Sequence, residues 1–296
     1  MSYNVILVDP RPASKDAMVD LLKSNAPVVG IEFTLPALVP FVESNIDDQH
    51  VARASNRAAC EVALEVELPS VNATLAIVRP DTDALLAVAI LNERVEGRMV
   101  SGEMEGRVAQ IAQMDTFANG EWPGRRPLTL KEDETGTEGL GLIAMDFKRP
   151  IQDRVALIQQ WLVSGDCDDL DVARQQAVEM FNKSVESSEV SVIDDEIALV
   201  ESSHLKATTV GYHFAPVLII RNPSFRFAGG DPHIKYTICQ WKDGYIDIPG
   251  LVQDVNEVEE CGGTWGGSKT ICGSPQGASS SLDIEQIVAL VKRHKV

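Results

Sequence analysis

Short apolar runs alternate with stretches of helical spacing through the first half of the chain. Val5–Val8 predicts a buried strand, and Lys15–Ser24 predicts a helix with Ala17, Met18, Leu21 and Leu22 on one face. Gly30-Ile-Glu-Phe leads into a segment punctuated by Pro36 and Pro40. A loop-like polar cluster, Asn45–His50, follows. Asn56–Leu68 has helical spacing at Ala59, Val62, Ala63 and Val66 and is closed by Pro69. Thr74–Val78 is a continuous apolar and β-branched run, the pattern of a strand covered on both faces of a parallel sheet. The turn Arg79-Pro80-Asp81-Thr82-Asp83 follows it directly, and Ala84–Val95 then reads as an apolar helix with Asp83 as its N-cap and Gly97 as its stop.

Further on, residues 99–118 predict a helix and Glu121–Arg126 a turn-rich loop, while Lys131–Glu138 is polar enough to predict a mobile connection. Asp153–Val163 predicts a helix stopped by Gly165. After the acidic run Asp166–Asp171, a long amphipathic helix passes through Val172, Val178, Phe181 and Val185. The last hundred residues differ in character: strands are predicted at Glu196–Val200, Ala215–Ile220 and His233–Gln240, and a short helix within Ile246–Asn256. A glycine-dense segment and a closing helix over Asp283–Lys295 complete the chain. The expected plan is an α/β protein: a parallel-sheet N-terminal lobe over 1–165, a connector helix over 166–190, and a smaller α/β C-terminal lobe over 191–296.

The chain's 296 residues suit two domains, and 44% hydrophobic with 24% charged residues is a globular composition. The longest apolar stretch, Ala84–Leu91, falls far short of the roughly 18 residues a membrane helix needs, so no membrane partner is expected. The start of the chain lacks the features of a secretory signal. Five cysteines, an odd number without close pairs, fit reduced thiols and a cytoplasmic protein. A net charge of −18 repels long duplex nucleic acid, yet local arginines or a bound cation can still admit a small anion. Self-association into a homo-oligomer is left open.

Candidate chemistry begins at Asp81 and Asp83, because an Asp-x-Asp turn beyond a buried strand can aim two carboxylates at one hard divalent cation such as Mn2+ or Mg2+. Taken alone the pair reads better as a helix cap at Asp83 and a solvated turn residue at Asp81. Asp115 and Asp146, each beside apolar segments, supply further carboxylates for a site able to hydrolyse a phosphoester. His50 and His213 are candidate acid–base or ligand groups, and Arg79 a candidate phosphate contact. In Gly262-Gly263-Thr264-Trp265-Gly266-Gly267-Ser268 the backbone can approach an anion closely, although a tight turn also explains glycines there. The segment matches neither the Walker nor the Rossmann glycine motif.

The strand, the Asp81-Thr82-Asp83 turn and the apolar helix resemble the first motif of the DHH phosphoesterase superfamily. The Tyr236-Thr237-Ile238 and glycine segments are similar to that superfamily's substrate-binding domain. The resemblance implies a two-domain protein with a manganese-type centre between the lobes, acting on a small phosphorylated or phosphodiester substrate. Taken together with the residue reading, it gives metal on Asp81, Asp83, Asp115 and Asp146, catalytic assistance at His50, Asp115 and His213, and substrate contacts at Arg79, Gly262, Gly263, Trp265, Gly266, Gly267 and Ser268. The chain departs from the family in three places: Arg79 replaces the motif's histidine, the Asp-His-His triplet is absent, and the glycine motif lacks its histidine. The competing reading is a non-catalytic anion-binding or structural protein on the same scaffold.

Overall fold

A computed structural model describes residues 2–9, 14–47, 57–116, 120–227 and 230–296. The chain folds as two α/β units: Met1–Thr116 with Lys131–Ala177, and Phe117–Leu130 with Val178–Val296.

The first unit runs β1 (Asn4–Leu7), α1 (Lys15–Ser24), β2 (Val28–Ile31), a 3-10 turn (Val39–Phe41), β3 (Ser44–Ile46), α2 (Ala59–Glu65), β4 (Thr74–Ile77), α3 (Thr82–Val95), α4 (Gly102–Asp115), α5 (Glu132–Ala144), α6 (Ile151–Ser164) and the first part of α7 (Leu170–Glu186). Its four strands are all parallel in the order β1-β4-β2-β3, so their carboxyl ends share one edge. The central strands β2 and β4 are buried at every position, as the apolar run Thr74–Ile77 requires of a sheet covered on both faces. One face is closed by α1 and the 3-10 turn through Met18, Leu22, Phe33 and Leu38. The other face packs on α3, buried from Asp83 to Glu93, with α2, α4, α5 and α6 around it.

Asn45 and Ile46, expected in a loop, lie in β3, and three further local features differ from the sequence expectation. Val28–Ile31, a short run interrupted by Gly30, is a central strand: a Cβ at Gly30 would lie 2.5 Å from the Phe33 Cβ and 2.8 Å from the Asn45 Oδ1, so glycine lets the following turn close over the strand. The polar segment Lys131–Glu138, expected to be mobile, opens α5. Acidic side chains crowd its first turn, Glu134 accepts the Lys131 N–H at 2.8 Å, and Gly139 lets the helix approach the α7 backbone, with Arg174 N 3.1 Å from where a Cβ would be. The N-cap of α3 is Asp81, whose Oδ1 accepts the Ala84 N–H at 3.1 Å. Asp83 lies inside the first turn and is buried.

The second unit contains the end of α7, β5 (Glu189–Val192), β6 (Ile197–Glu201), α8 (Ala207–Gly211), β7 (Val217–Arg226), β8 (Pro232–Gln240), α9 (Ile248–Val258), β9 (Gly266–Gly267), β10 (Ile271–Gly273) and α10 (Ile284–Arg293). Its sheet order is β5-β6-β7-β8-β10-β9, with only β6 and β7 parallel. Alternation sorts β7 between two cores. Val217 and Ile219 face α9 and α10, whereas Leu218 and Ile220 join Tyr212 and Ala215 on the opposite face. The segment from Gly120 to Arg126 is tied to this unit: Trp122 Nε1 donates to Tyr212 O at 2.9 Å, Arg126 N to His213 O at 3.1 Å, and Trp241 Nε1 to Gly120 O at 3.0 Å.

Candidate metal centre

Each parallel strand of the first unit runs into an acidic residue at the shared carboxyl edge: Asp9 after β1, Glu32 after β2, Asp47 after β3 and Asp81 after β4. Glu32, Asp83 and Asp115 converge there. One carboxylate oxygen from each lies within 4.8 Å of the others, with Glu32 and Asp83 buried and Asp115 half-buried.

The three reach this point by different local means. Glu32 adopts a left-handed backbone, φ 47°, uncommon for a residue with a side chain, while its N–H donates to Ile46 O at 3.2 Å. Asp83 is fixed by the two N–H groups that open α2: Ala59 donates to Oδ2 at 2.8 Å and Cys60 to Oδ1 at 2.9 Å. Asp115 ends α4, whose Val108, Ile111 and Ala112 are seated in the core.

Crowding of like charges in a buried place shapes the electrostatics. Burial, and then the neighbouring Asp81, Asp83, Asp115 and Asp47, push the Glu32 carboxyl up to about 10. Burial and Asp115 push Asp83 up to about 7, against the hydrogen bonds from Cys60 and Ala59, which favour its ionised form. The Cys60 thiol is pushed up by burial and by Asp83, so it is a protonated neighbour and no thiolate ligand. A set of hard carboxylate oxygens fits Mg2+ or Mn2+, and a divalent cation would neutralise the repulsion that otherwise keeps protons on these groups. The donor set therefore suits the group.

Of the residues the sequence singled out, Asp83 and Asp115 are in this convergence, and Asp81 flanks it as the α3 cap, close enough to raise Glu32. Asp146 is not in it. Its side chain, 40% exposed, lies 3.8 Å from Arg149 and accepts the Lys148 N–H. Arg79 is largely exposed, 3.7 Å from Asp81. His50 lies outside the described residues. His213 belongs to the second unit, where it is buried with Nδ1 2.7 Å from Pro127 O and its ring 5.2 Å from that of Phe181.

The glycine-dense segment in the second unit has an internal packing reason for part of its composition. A Cβ at Gly263 would sit 2.5 Å from Pro275 Cβ, and one at Gly267 would sit 2.5 Å from Cys272 Cα, its partner in the β9–β10 pair. Gly262 has φ 80°. Trp265 is buried and stacks on Tyr236 at 6.3 Å, with Nε1 donating to Glu259 at 2.8 Å. Ser268 Oγ is 3.2 Å from Thr270 Oγ1. Beside them a cleft of about 400 Å³ is lined by Gly266, Gly267, Thr237, Thr264 and Lys235, whose Nζ also donates to Ser274 O. Gly266 and Gly267 thus line a cavity that contains one cationic side chain.

Glu32 is the ligand candidate that sequence reasoning missed. Its signal was present: Val28-Val29-Gly30-Ile31 followed by an acid repeats, more briefly, the Thr74–Val78 pattern that drew attention to Asp81.

No protein-family model matches the chain, and no curated protein matches it. Among solved structures it is similar to a pGpG-specific phosphodiesterase, PggH from Vibrio cholerae, at 12% identity and a TM-score of 0.44, covering 90% of this chain and 98% of that one.

Proposed function

We propose that the chain is a divalent-metal-dependent hydrolase of the phosphoester bond of a small phosphorylated or phosphodiester substrate, with Glu32, Asp83 and Asp115 as the metal-holding residues. One observation supports this above the others: three carboxylates, two of them buried, converge at the carboxyl edge of a parallel sheet, where open α/β sheets bind ligands. A cation held there supplies Lewis acidity toward a phosphoryl oxygen and lowers the pKa of bound water. The α2 N–H groups keep Asp83 oriented, and the α4 core contacts position Asp115. Asp81, as cap of α3, adds negative potential beside the group.

Calorimetric titration with Mn2+ and hydrolysis of bis(p-nitrophenyl) phosphate test the reading. Asp83→Asn is expected to weaken Mn2+ by about 100-fold, the order of losing one charged ligand, and to abolish turnover. Mn2+ affinity unchanged in both Asp83→Asn and Glu32→Gln would overturn the site. Metal binding without turnover on any phosphoester would leave a binding protein in place of an enzyme.

A further inference from the structure

The first unit holds a cavity of about 480 Å³ walled by α4, α5, α7 and the C-terminal end of α6. Arg107, in its wall, stands about 12 Å along α4 from Asp115, and none of Glu32, Asp83 and Asp115 lines it. Two guanidinium groups meet there. Arg107 Nη1 donates to Leu162 O at 2.8 Å, and Gly165, left-handed at φ 82°, leaves room for Nη2, which would lie 2.9 Å from a Cβ at that position. Arg174 lies over Gly136, with Nη2 3.7 Å from where a Cβ would be. Each arginine has a carboxylate beside it, Glu103 at 3.5 Å and Asp171 at 3.1 Å, but these acids are 84% and 93% exposed, so water weakens both pairs. Glu132 and Asp133, exposed at the start of α5, line the same cavity. Trp161 also lines it; the ring is more than nine-tenths buried, and its indole N–H has no hydrogen-bond partner among the described residues.

These walls select by charge. A dianion such as phosphate would meet Glu132 and Asp133 together with Glu103 and Asp171, and a simple cation would meet two arginines. A small zwitterion suits both. Its carboxylate exchanges with the exposed partners of Arg107 and Arg174, whose forked N–H donors match two carboxylate oxygens, and its ammonium group lies against Glu132 and Asp133. Once the cleft is filled, the Trp161 N–H needs an acceptor on the rest of the ligand, because a donor left unsatisfied there is costly. We propose that this cleft binds a free α-amino acid with an uncharged, acceptor-bearing side chain. The site draws on four helices of the first unit and stands independently of the metal reading.

L-glutamine, L-asparagine and L-serine are the probes, titrated calorimetrically into the full chain in chelator so that no metal contributes. At least one is expected to bind with a Kd below about 1 mM. Two analogues of the tightest probe then dissect the charges on wild-type protein: the deaminated acid lacks the ammonium group, the α-carboxamide lacks the carboxylate, and each should bind at least about tenfold more weakly. Arg174→Gln, and Glu132→Gln combined with Asp133→Asn, should each weaken the parent amino acid by about tenfold while leaving Mn2+ affinity at its wild-type value. Circular dichroism confirms that the variants are folded, and the analogue comparison does not depend on them. Failure of all three amino acids to bind overturns the proposal, as does wild-type affinity in both variants. A deaminated acid that binds as tightly as its parent would show an anion site and overturn it too. Failure of Mn2+ to bind would instead remove the metal reading and leave these titrations unaffected.

Discussion

Glu32 is buried, sits at φ 47° and faces four other carboxylates, three separate costs at one residue. A left-handed conformation for a residue of this kind costs about 1–3 kcal/mol, and such outliers cluster where a ligand later offsets them. The pH dependence of stability carries the same signature. Between an ordinary carboxylate pKa of about 4 and about 7 for Asp83 or about 10 for Glu32, the folded chain holds protons that the unfolded chain has released. Unfolding then releases protons, so rising pH favours it. The metal-free protein is expected to lose thermal stability from about pH 4 to about pH 10, with Asp83 contributing up to about pH 7 and Glu32 up to about pH 10, and saturating Mn2+ should flatten that fall. Differential scanning calorimetry in chelator and in Mn2+ measures both curves. A metal-free melting temperature that rises with pH over this range contradicts the crowded-carboxylate description.

At the scale of elements, legibility followed how much each segment's pattern depended on itself. β4 and α3 were readable because an uninterrupted apolar run and an apolar helix need no partner to be recognised. β2 was not, because four residues with a central glycine derive their strand identity from pairing on both sides with β3 and β4. α5 was misread because its polar opening is stabilised by capping, and its glycines by contact with α7. The metal candidates divided in the same way: Asp83 and Asp115 were accessible from sequence, while Glu32 depended on seeing β2. Asp146 looked equivalent by order along the chain but pairs locally with Arg149. The close approach at Gly30 gives an element-scale test. Gly30→Ala places a Cβ within 2.5 Å of Phe33 Cβ and should destabilise the protein by an overpacking cost of about 1–3 kcal/mol. It should also weaken Mn2+ by displacing the turn that carries Glu32. Chemical denaturation and metal titration report the two effects, and wild-type values in both would show the turn to be compliant.

Over the whole molecule, the net charge of −18 adds a diffuse repulsion to the focused one among the carboxylates. Salt screens exposed charges over a Debye length of roughly 10 Å at 0.1 M and acts much less on buried ones. Raising KCl should therefore stabilise the metal-free protein only modestly, by less than Mn2+ does at concentrations too low to change ionic strength. Thermal melts in the two series make the comparison. If KCl alone reproduced the Mn2+ effect, general screening would explain it and specific coordination would not.

The first unit is assembled from two separated stretches of chain, and this constrains how the protein can be made. As the polypeptide leaves the ribosome, everything up to Thr116 emerges before α5 and α6, whose Leu140, Ile143, Ile158 and Leu162 belong to the same core as β4 and α3. Gln152 in α6 also donates to Val5 O at 2.9 Å, fastening a late element to the earliest strand. The nascent chain must therefore keep its largest apolar helix waiting until some fifty further residues have been synthesised, estimated at about 3–10 s of translation at 5–20 residues per second. A fragment ending at Thr116 should show helical circular dichroism without a cooperative melt, and one extended to Ala177 should recover the melt. Cooperative unfolding of the shorter fragment would mean that the early stretch folds without its late-arriving helices. The interleaving leaves α3 exposed during synthesis, a stage at which an uncovered apolar helix is open to misassembly.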